Sequence, residues 1–200
     1  QSLCSTTSII NILYTWGGSA TGAEATNLPN GLIATEDLVA KTLTISGTPN
    51  SSGTYTVITT GAIAPCTSQA TITGTITVNP LPAAPTNTTA NAVQCATLPT
   101  QTITATASAP GGSMVVWYDA SSGGNTITPS LNTIGSVTFY AASKNNTTGC
   151  ESASRTPVTL TINELPSVPS SGGNQTQCAD AILQTLTATA VAPAGTTTVW

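Results

Sequence analysis

The stretch Thr71-Ile72-Thr73-Gly74-Thr75-Ile76-Thr77-Val78-Asn79-Pro80-Leu81-Pro82 decides the fold. Ile72, Ile76 and Val78 alternate with threonines, and this period of two is typical of a β-strand that has one buried and one solvated face. Threonine suits the solvated face because it is β-branched and polar. The prolines that follow end the strand, since proline cannot donate to a ladder and favours an extended spacer.

The same ending recurs along the chain. Residues 161–166 repeat residues 77–82 at an offset of 84, and Cys66 and Cys150 share that offset. Gln94-Cys95 and Gln177-Cys178 are 83 residues apart, as are Trp117 and Trp200. A period of about 83 fits a whole small β-domain rather than a solenoid repeat. We predict a first repeat over 1–80, a second over 81–165, and the N-terminal part of a third over 166–200, which we expect to continue beyond residue 200.

The composition excludes several classes of protein. The chain has 42 Thr and 20 Ser, no His, and only 5% charged residues. Threonine is a poor helix former, so a helical protein is excluded. Three basic residues cannot supply the cationic surface that nucleic acid requires. The longest apolar stretch, near residues 9–14, is far shorter than a membrane span, so no membrane insertion is predicted.

Five cysteines are interpreted as covalent staples. Neither a CxxC motif nor a histidine is present, which makes a zinc site improbable and leaves no cofactor to predict. Because the two cysteines of each complete repeat have similar places, we predict Cys4–Cys66 and Cys95–Cys150 bonds, with Cys178 unpaired within this segment. The alternative is a set of buried free thiols. Disulfides indicate an extracellular location.

Two groups of motifs resemble known surface modules. LPNGL at 28–32, ISGTP at 45–49 and GTYTV at 53–57 are similar to the cadherin-like Ig repeats of bacterial surface proteins. The second repeat, with Val116-Trp117-Tyr118, Thr138-Phe139-Tyr140 and Gly149-Cys150-Glu151, resembles the Ig-like repeats of giant type IX-secreted adhesins of gliding bacteria. The resemblance implies an all-β fold of tandem Ig-like β-sandwiches in an elongated array on the bacterial outer surface.

The aromatic residues are interpreted as core. Trp16, Trp117 and Trp200 could be exposed platforms for sugar rings, but Trp117 and Trp200 recur at equivalent places after apolar runs, which favours a structural role. The threonine row from Thr71 to Thr77 admits a second interpretation, because regularly spaced hydroxyls on one strand face could bind ice or a flat polysaccharide. The predicted structural core comprises Trp16, Tyr55, Trp117, Phe139 and Trp200.

The sequence offers no arrangement for catalysis. A serine nucleophile needs a base, and neither Lys41 nor Lys144 lies in an SxxK motif. Glu36 and Asp37 are adjacent, so on a strand they face opposite sides. Asp119 is isolated in the sequence. A calcium site built from oxygen ligands scattered along the chain remains an alternative.

We therefore expect a non-catalytic stalk of a secreted adhesin or gliding-motility filament. Its partners would be neighbouring repeats of the same chain and, through regions outside this segment, a surface polysaccharide or another adhesin ligand. The alternative function is an accessory or carbohydrate-binding region of a large secreted hydrolase.

Overall fold

The computed structural model describes residues 1–65, 67–90, 92–174 and 187–199. Within these ranges the secondary structure consists of β-strands joined by turns and loops, with no helix. The chain is an all-β protein of the Ig-like β-sandwich type, as the sequence predicted.

Seven strands of the first repeat form two facing sheets. One sheet has the order β1-β7-β6-β3 and the other β2-β5-β4. Neighbouring strands are antiparallel except β1 and β7, which are parallel. The strands are β1 (Ser2–Cys4), β2 (Ile12–Thr15), β3 (Gly22–Thr26), β4 (Leu32–Asp37), β5 (Thr42–Gly47), β6 (Gly53–Thr60) and β7 (Thr71–Asn79).

The rest of the chain contains one four-stranded sheet, in the order β12-β14-β15-β9, and three short strand pairs, β8 with β11, β10 with β13, and β16 with β17. Its strands are β8 (Thr86–Asn87), β9 (Val93–Cys95), β10 (Ile103–Thr104), β11 (Ala107–Ser108), β12 (Ser113–Tyr118), β13 (Ser130–Leu131), β14 (Gly135–Asn145), β15 (Thr156–Asn163), β16 (Ser170–Ser171) and β17 (Ala190–Val191).

The chain divides into two compact units. The first contains Gln1–Thr88, Thr106–Thr128 and Phe139–Val158. The second contains Thr89–Ala105, Pro129–Thr138 and the chain from Thr159 onward. Strands β14 and β15 contribute residues to both units.

The alternation seen in the sequence corresponds to burial in the structure. On β15, Val158, Leu160 and Ile162 are each at most 1% exposed, whereas Thr159 faces solvent. On β7, Ile76 is fully buried and the threonines are exposed. Ile72 departs from the prediction because it is 54% exposed, at the mouth of an open cleft.

The core of the first repeat is organised around Tyr55. Its hydroxyl lies 2.9 Å from that of Tyr14, and this hydrogen bond joins the two facing sheets. Burial, and then the Tyr14 hydrogen bond, raise the pKa of Tyr55 well above the usual tyrosine range, so the side chain stays neutral. The ring of Tyr55 lies against Gly74, its partner on β7, in the space that a Cβ there would occupy. Gly74, which lies on the same face of β7 as Ile76, is therefore required by packing.

Two further glycines explain the LPNGL and ISGTP motifs. Gly31 has φ +93° and Gly47 has φ +122°, a conformation that side chains rarely adopt. A Cβ on Gly31 would collide with the Thr48 carbonyl oxygen, and one on Gly47 with the Gly31 carbonyl oxygen. The Thr48 amide donates to the Gly31 carbonyl at 3.1 Å. The two motifs thus pack closely against each other where β4 begins and the neighbouring antiparallel strand β5 ends.

Both complete repeats begin with the same backbone arrangement. Cys4 at the end of β1 pairs in parallel with Asn79, the last residue of β7. Cys95 at the end of β9 pairs in parallel with Asn163, the last residue of β15. The start of the third repeat also has its counterpart, because β16 pairs with β17 as β8 pairs with β11.

The contact between Tyr55 and Gly74 gives a first testable prediction. Gly74→Ala forces a methyl group against the Tyr55 ring, so we expect a loss of about 1–3 kcal/mol in unfolding free energy. Thermal or denaturant unfolding of the whole chain measures this loss. Thr73→Ala, on the exposed neighbouring face, is the matched control and should change stability by less than about 0.5 kcal/mol.

A double-mutant cycle identifies the cause. In a Tyr55→Leu background most of the Gly74→Ala penalty should disappear, because the ring that the methyl group strikes is gone. An equal penalty in both backgrounds would contradict the packing explanation.

Candidate functional site

A disulfide bond joins the first repeat to the second. It links Cys4 to Cys150 with a Cα–Cα distance of 5.6 Å and a sequence separation of 146 residues. That Cα distance lies in the usual range for disulfides. We call this bond, with the linker Asn79–Pro85 and the loop around Cys150, the junction. All of it lies in the first compact unit.

The backbone of β1 and β7 positions Cys4. Its strand pairs with the end of β7, and the following amide, Ser5 N–H, donates to the Asn79 carbonyl at 2.8 Å. Asn79 is also the residue from which the linker leaves the first repeat. Cys4 therefore lies at the outgoing end of its repeat, where the chain passes on to the next.

A tight turn after β14 positions Cys150. The Asn145 side-chain oxygen accepts from the amides of Thr147 and Thr148 at 3.0 and 2.9 Å. The Asn145 amide then donates to the Cys150 carbonyl at 2.8 Å, which fixes the loop. The cysteine is only 1% exposed. The sulfur is thus held by a rigid, locally satisfied turn.

A hydrogen bond provides a second tether across the junction. The Thr156 hydroxyl, at the start of β15, donates to the carbonyl of Pro85 at the end of the linker. The start of β15 therefore lies at the incoming end of the second repeat. One covalent bond and one hydrogen bond flank a linker of seven residues that contains three prolines.

The predicted Cys4–Cys66 and Cys95–Cys150 pairs are wrong. Cys4 and Cys150 bond to each other, and Cys95 is a free, exposed thiol. Cys66 and Cys178 lie outside the described residues. The error has a physical cause, because equal spacing of cysteines is a property of any tandem repeat and holds whether the bonds lie within or between repeats.

Most of the charge of the second repeat gathers beside the junction. The guanidinium carbon of Arg155 lies 3.4 Å from the centroid of the Tyr118 ring, and Nη1 donates to the carbonyls of Ala120 and Gly123 at 2.6 and 2.7 Å. The Tyr118 hydroxyl donates to the Glu151 carboxylate at 2.8 Å. Arg155 thus fastens the 119–124 loop to the start of β15.

Burial and the neighbouring Glu151 carboxylate keep the Tyr118 hydroxyl protonated. Burial first, and then the Glu151 hydrogen bond, raise the pKa of Tyr118, so the phenol remains a donor. Lys144 Nζ lies 3.7 Å from Glu151 Oε1, but both side chains are partly exposed, so this ion pair adds less than about 1 kcal/mol. The cluster has the properties of a structural clamp.

The aromatic residues of the predicted core differ in how deeply they are buried. Trp16, Tyr55 and Phe139 are buried, whereas Trp117 is half-buried and Trp200 lies outside the described residues. Tyr118, which the sequence analysis passed over, is the buried aromatic residue of β12. Its position two residues after Val116 on the same strand face was the available signal.

An open cleft of about 150 Å³ lies in the first repeat. Its walls include Tyr14, Trp16, Val57 and Ile72. Trp16 is 8% exposed, and its indole N–H has no hydrogen-bond partner within the described part of the chain. A side chain this buried offers no open face on which a sugar ring could stack.

The acidic residues that were considered for catalysis bind nearby backbone. Glu36 Oε1 accepts from the Ala23 amide at 2.7 Å, and Asp37 Oδ1 accepts from two turn amides at 2.9 Å. Asp119 Oδ1 accepts from the Asn125 amide at 2.8 Å. Among the residues described, no three His, Cys, Asp or Glu side chains are grouped to hold a metal ion. The described chain likewise has no helix long and apolar enough to cross a membrane.

Comparisons with known proteins find one matching family and several similar solved structures. Residues 82–163 match the family described as "Ig-like domain CHU_C associated". Among solved structures, the fibronectin(III)-like modules of Clostridium thermocellum CbhA share 15% identity, with a TM-score of 0.42, over 82% of this chain and 90% of that one. Rst D1-D2 shares 10% identity with a TM-score of 0.41, over 82% of this chain and 95% of that one. Curated proteins show no sequence match.

The chain is therefore built from Ig-like β-sandwich modules, supported by the family match in its second repeat and by its own strand topology. Ig-like and fibronectin-III-like domains are typically non-catalytic. A disulfide bond in such a module is typical of an extracellular domain.

The junction gives a second testable prediction. Digestion of the oxidised chain without reduction should release a Cys4–Cys150 crosslinked peptide, and a thiol reagent should label Cys95 before any reductant is added. Mass spectrometry of the peptides measures both. Cys95→Ser is the matched control and should keep the crosslink while losing that label. A Cys4–Cys66 or Cys95–Cys150 peptide would contradict the junction.

Proposed function

We propose that this chain is a load-bearing stalk segment of a secreted, repetitive cell-surface adhesin or gliding-motility filament. The observation that carries the proposal is the Cys4–Cys150 bond, because it joins two consecutive repeats instead of reinforcing one. A covalent tie between neighbours has little use in a freely hinged array. It is useful where tension runs along the chain.

The path of force through the junction supports this role. Tension applied at the two termini passes from Cys4 through the disulfide to Cys150. The chain between these two cysteines, which are 146 residues apart, therefore bears no load. At about 3.5 Å per extended residue, the bond withholds about 500 Å of chain from extension. The fold of the first repeat and much of the second is thereby protected from mechanical unfolding.

The surface chemistry fits a spacer. Charged residues make up 5% of the chain, and exposed threonines such as Thr73 and Thr75 supply solubility on the strand faces. Low charge leaves little long-range attraction that would draw neighbouring repeats together. With short proline-rich linkers, this favours an elongated array that holds a distal binding region away from the cell. The ligand, a surface polysaccharide or another adhesin partner, would bind that distal region.

Single-molecule stretching tests the mechanical part. The oxidised chain, held at its termini, should extend only through residues 1–4 and 150–200, whereas the reduced chain should gain up to about 500 Å more. Cys95→Ser should behave like the unmodified chain in both states. Equal extension of the oxidised and reduced chains would contradict the load path.

A cell experiment tests the adhesive part. In the cells that produce the protein, the variant Cys4→Ser, Cys150→Ser should remain on the surface, as judged by antibody labelling of intact cells. Attachment under increasing shear should then fail at lower force than with Cys95→Ser as the matched control. Unchanged attachment together with reduced polysaccharide breakdown would favour the hydrolase-accessory function and overturn the stalk.

A further inference from the structure

The second and third repeats each open with a short strand that lies along the strand corresponding to the end of β2. In the second repeat β8 pairs antiparallel with β11, and Asn87 lies opposite Ala107. In the third repeat β16 pairs antiparallel with β17 in the same way, and Ser171 lies opposite Ala190. In the described part of the first repeat, the strand nearest the N-terminus is β1, which pairs with β7 instead.

Trp16 has the place in the first repeat that Ala107 has in the second. Trp16 lies 12 residues after Cys4, and Ala107, the first residue of β11, lies 12 residues after Cys95. Both cysteines end a strand that pairs in parallel, in the same register, with the last strand of the repeat. Thr15 and Trp16 are therefore the counterpart of the edge that β8 covers in the second repeat.

The backbone at this edge of the first repeat is open. The Trp16 amide donates to the Lys41 carbonyl at 3.2 Å, so its N–H faces β5. Because backbone groups alternate in direction along a strand, Thr15 turns its N–H and C=O away from β5. No strand of the described residues pairs with β2 on that side. In the second repeat, the carbonyl of Thr106, the counterpart of Thr15, accepts from the Thr88 amide at 3.1 Å.

The open edge borders the cleft of the first repeat. Thr15, Trp16 and Ile72 are among the residues that line this cleft. The indole N–H of Trp16 is buried and has no hydrogen-bond partner within the described chain. A buried donor without an acceptor is costly, so an acceptor brought by a ligand would be favoured here. An unpaired strand edge, an orphaned donor and an exposed aliphatic side chain thus meet at one place.

We propose that the cleft and the open edge of β2, together the acceptor groove, bind an extended, uncharged strand of another polypeptide by β-strand addition. The bound strand runs antiparallel along Thr15 and Trp16, as β8 runs along β11. Residues directly opposite each other in a sheet share a face, so the residue opposite Trp16 supplies a side-chain oxygen to the indole N–H. Asn87 and Ser171 have that place in the other two repeats. This binding does not depend on the adhesive role proposed above.

The lining of the cleft indicates the chemistry of the partner. The residues that line it carry no charge, so a charged side chain entering it would lose its hydration without gaining an ion pair. The strands that have this place in the other repeats, Thr86–Asn87 and Ser170–Ser171, are uncharged, and each follows a proline. Proline restricts the free chain to few conformations and so lowers the entropy lost on binding. The expected partner segment is therefore a proline followed by threonine, serine or asparagine.

A synthetic peptide of residues 80–90 is the probe, because it contains the segment that covers the equivalent edge in the second repeat. Labelled with a fluorophore at its N-terminus and titrated with the oxidised 200-residue chain, it should show saturable binding by fluorescence anisotropy. At saturation, amide hydrogen exchange at Thr15 should slow by about tenfold or more. Exchange at Thr106, whose edge is already covered by the chain's own strand, should not change.

Two modified peptides test the predicted register without changing the protein. N-methylation at Thr88 removes the amide that would donate to the Thr15 carbonyl, so binding should weaken by about tenfold. The Asn87 amide faces away from the acceptor strand, because backbone groups alternate in direction. N-methylation at Asn87 is therefore the matched control, and the affinity should stay within about threefold of that of the unmodified peptide.

A double-mutant cycle tests the hydrogen bond to the indole. Asn87→Leu in the peptide and Trp16→Phe in the chain should each weaken binding by about three- to tenfold, because each removes one partner of the bond. With one change in place, the other should add little. Unfolding of the Trp16→Phe chain in denaturant verifies that it is folded before it is titrated.

Several results would overturn the proposal. They are the absence of saturable binding, equal weakening by the two N-methyl groups, and slower exchange at Thr106 while Thr15 is unchanged. Concentration-dependent self-association of the chain, with no binding of the peptide, would assign the groove to a second copy and would also overturn it. Unchanged attachment of cells carrying the Cys4→Ser, Cys150→Ser variant would count against the stalk but not against peptide binding, so the two proposals fail separately.

Discussion

The parallel pairing of the first strand with the end of the last strand is the constraint on which the rest depends. In each complete repeat it places a cysteine opposite the asparagine from which the linker departs. The last strand then runs back along the sandwich to its other end, where Thr156 contacts the incoming linker. Cys4 at the outgoing end of the first repeat thereby meets Cys150, near the incoming end of the second.

Hydrogen bonds between neutral hydroxyl groups join strands in both units of this chain, which has few charged residues. Tyr55 and Tyr14 join the facing sheets of the first repeat through a neutral hydrogen bond. On the exposed surface of the second unit, Ser136 bonds to Thr161 at 3.0 Å, a hydroxyl pair between neighbouring strands. Neutral hydroxyl pairs avoid the cost of desolvating ions. Among the few charged residues of the second repeat, Arg155 hydrogen-bonds to the Ala120 carbonyl and stacks on the Tyr118 ring, and so holds the loop beside the disulfide.

The binding alternatives have less support than the structural one. Trp16 is buried, so its own ring offers no open face for carbohydrate recognition. The carboxylates of Glu36, Asp37 and Asp119 accept hydrogen bonds from backbone amides, so each has a role in its own turn or strand crossing. Gly74 lies on the face of β7 opposite the exposed threonines, and its small size makes room for the Tyr55 ring.

The sequence by itself determined the all-β class, the threonine-rich solvated faces and the burial of Leu160 and Ile76, because strand alternation is a local property of side chains and water. The repeat period also follows from the sequence alone, since it requires only the comparison of the chain with itself. The tertiary structure alone decided which cysteines bond, because equal spacing is the same for bonds within and between repeats. It also decided that Tyr118 is buried beneath Arg155, a contact between residues 37 positions apart in the sequence. Pairing of this kind depends on where strand ends lie in space, and no alternation along the chain encodes it.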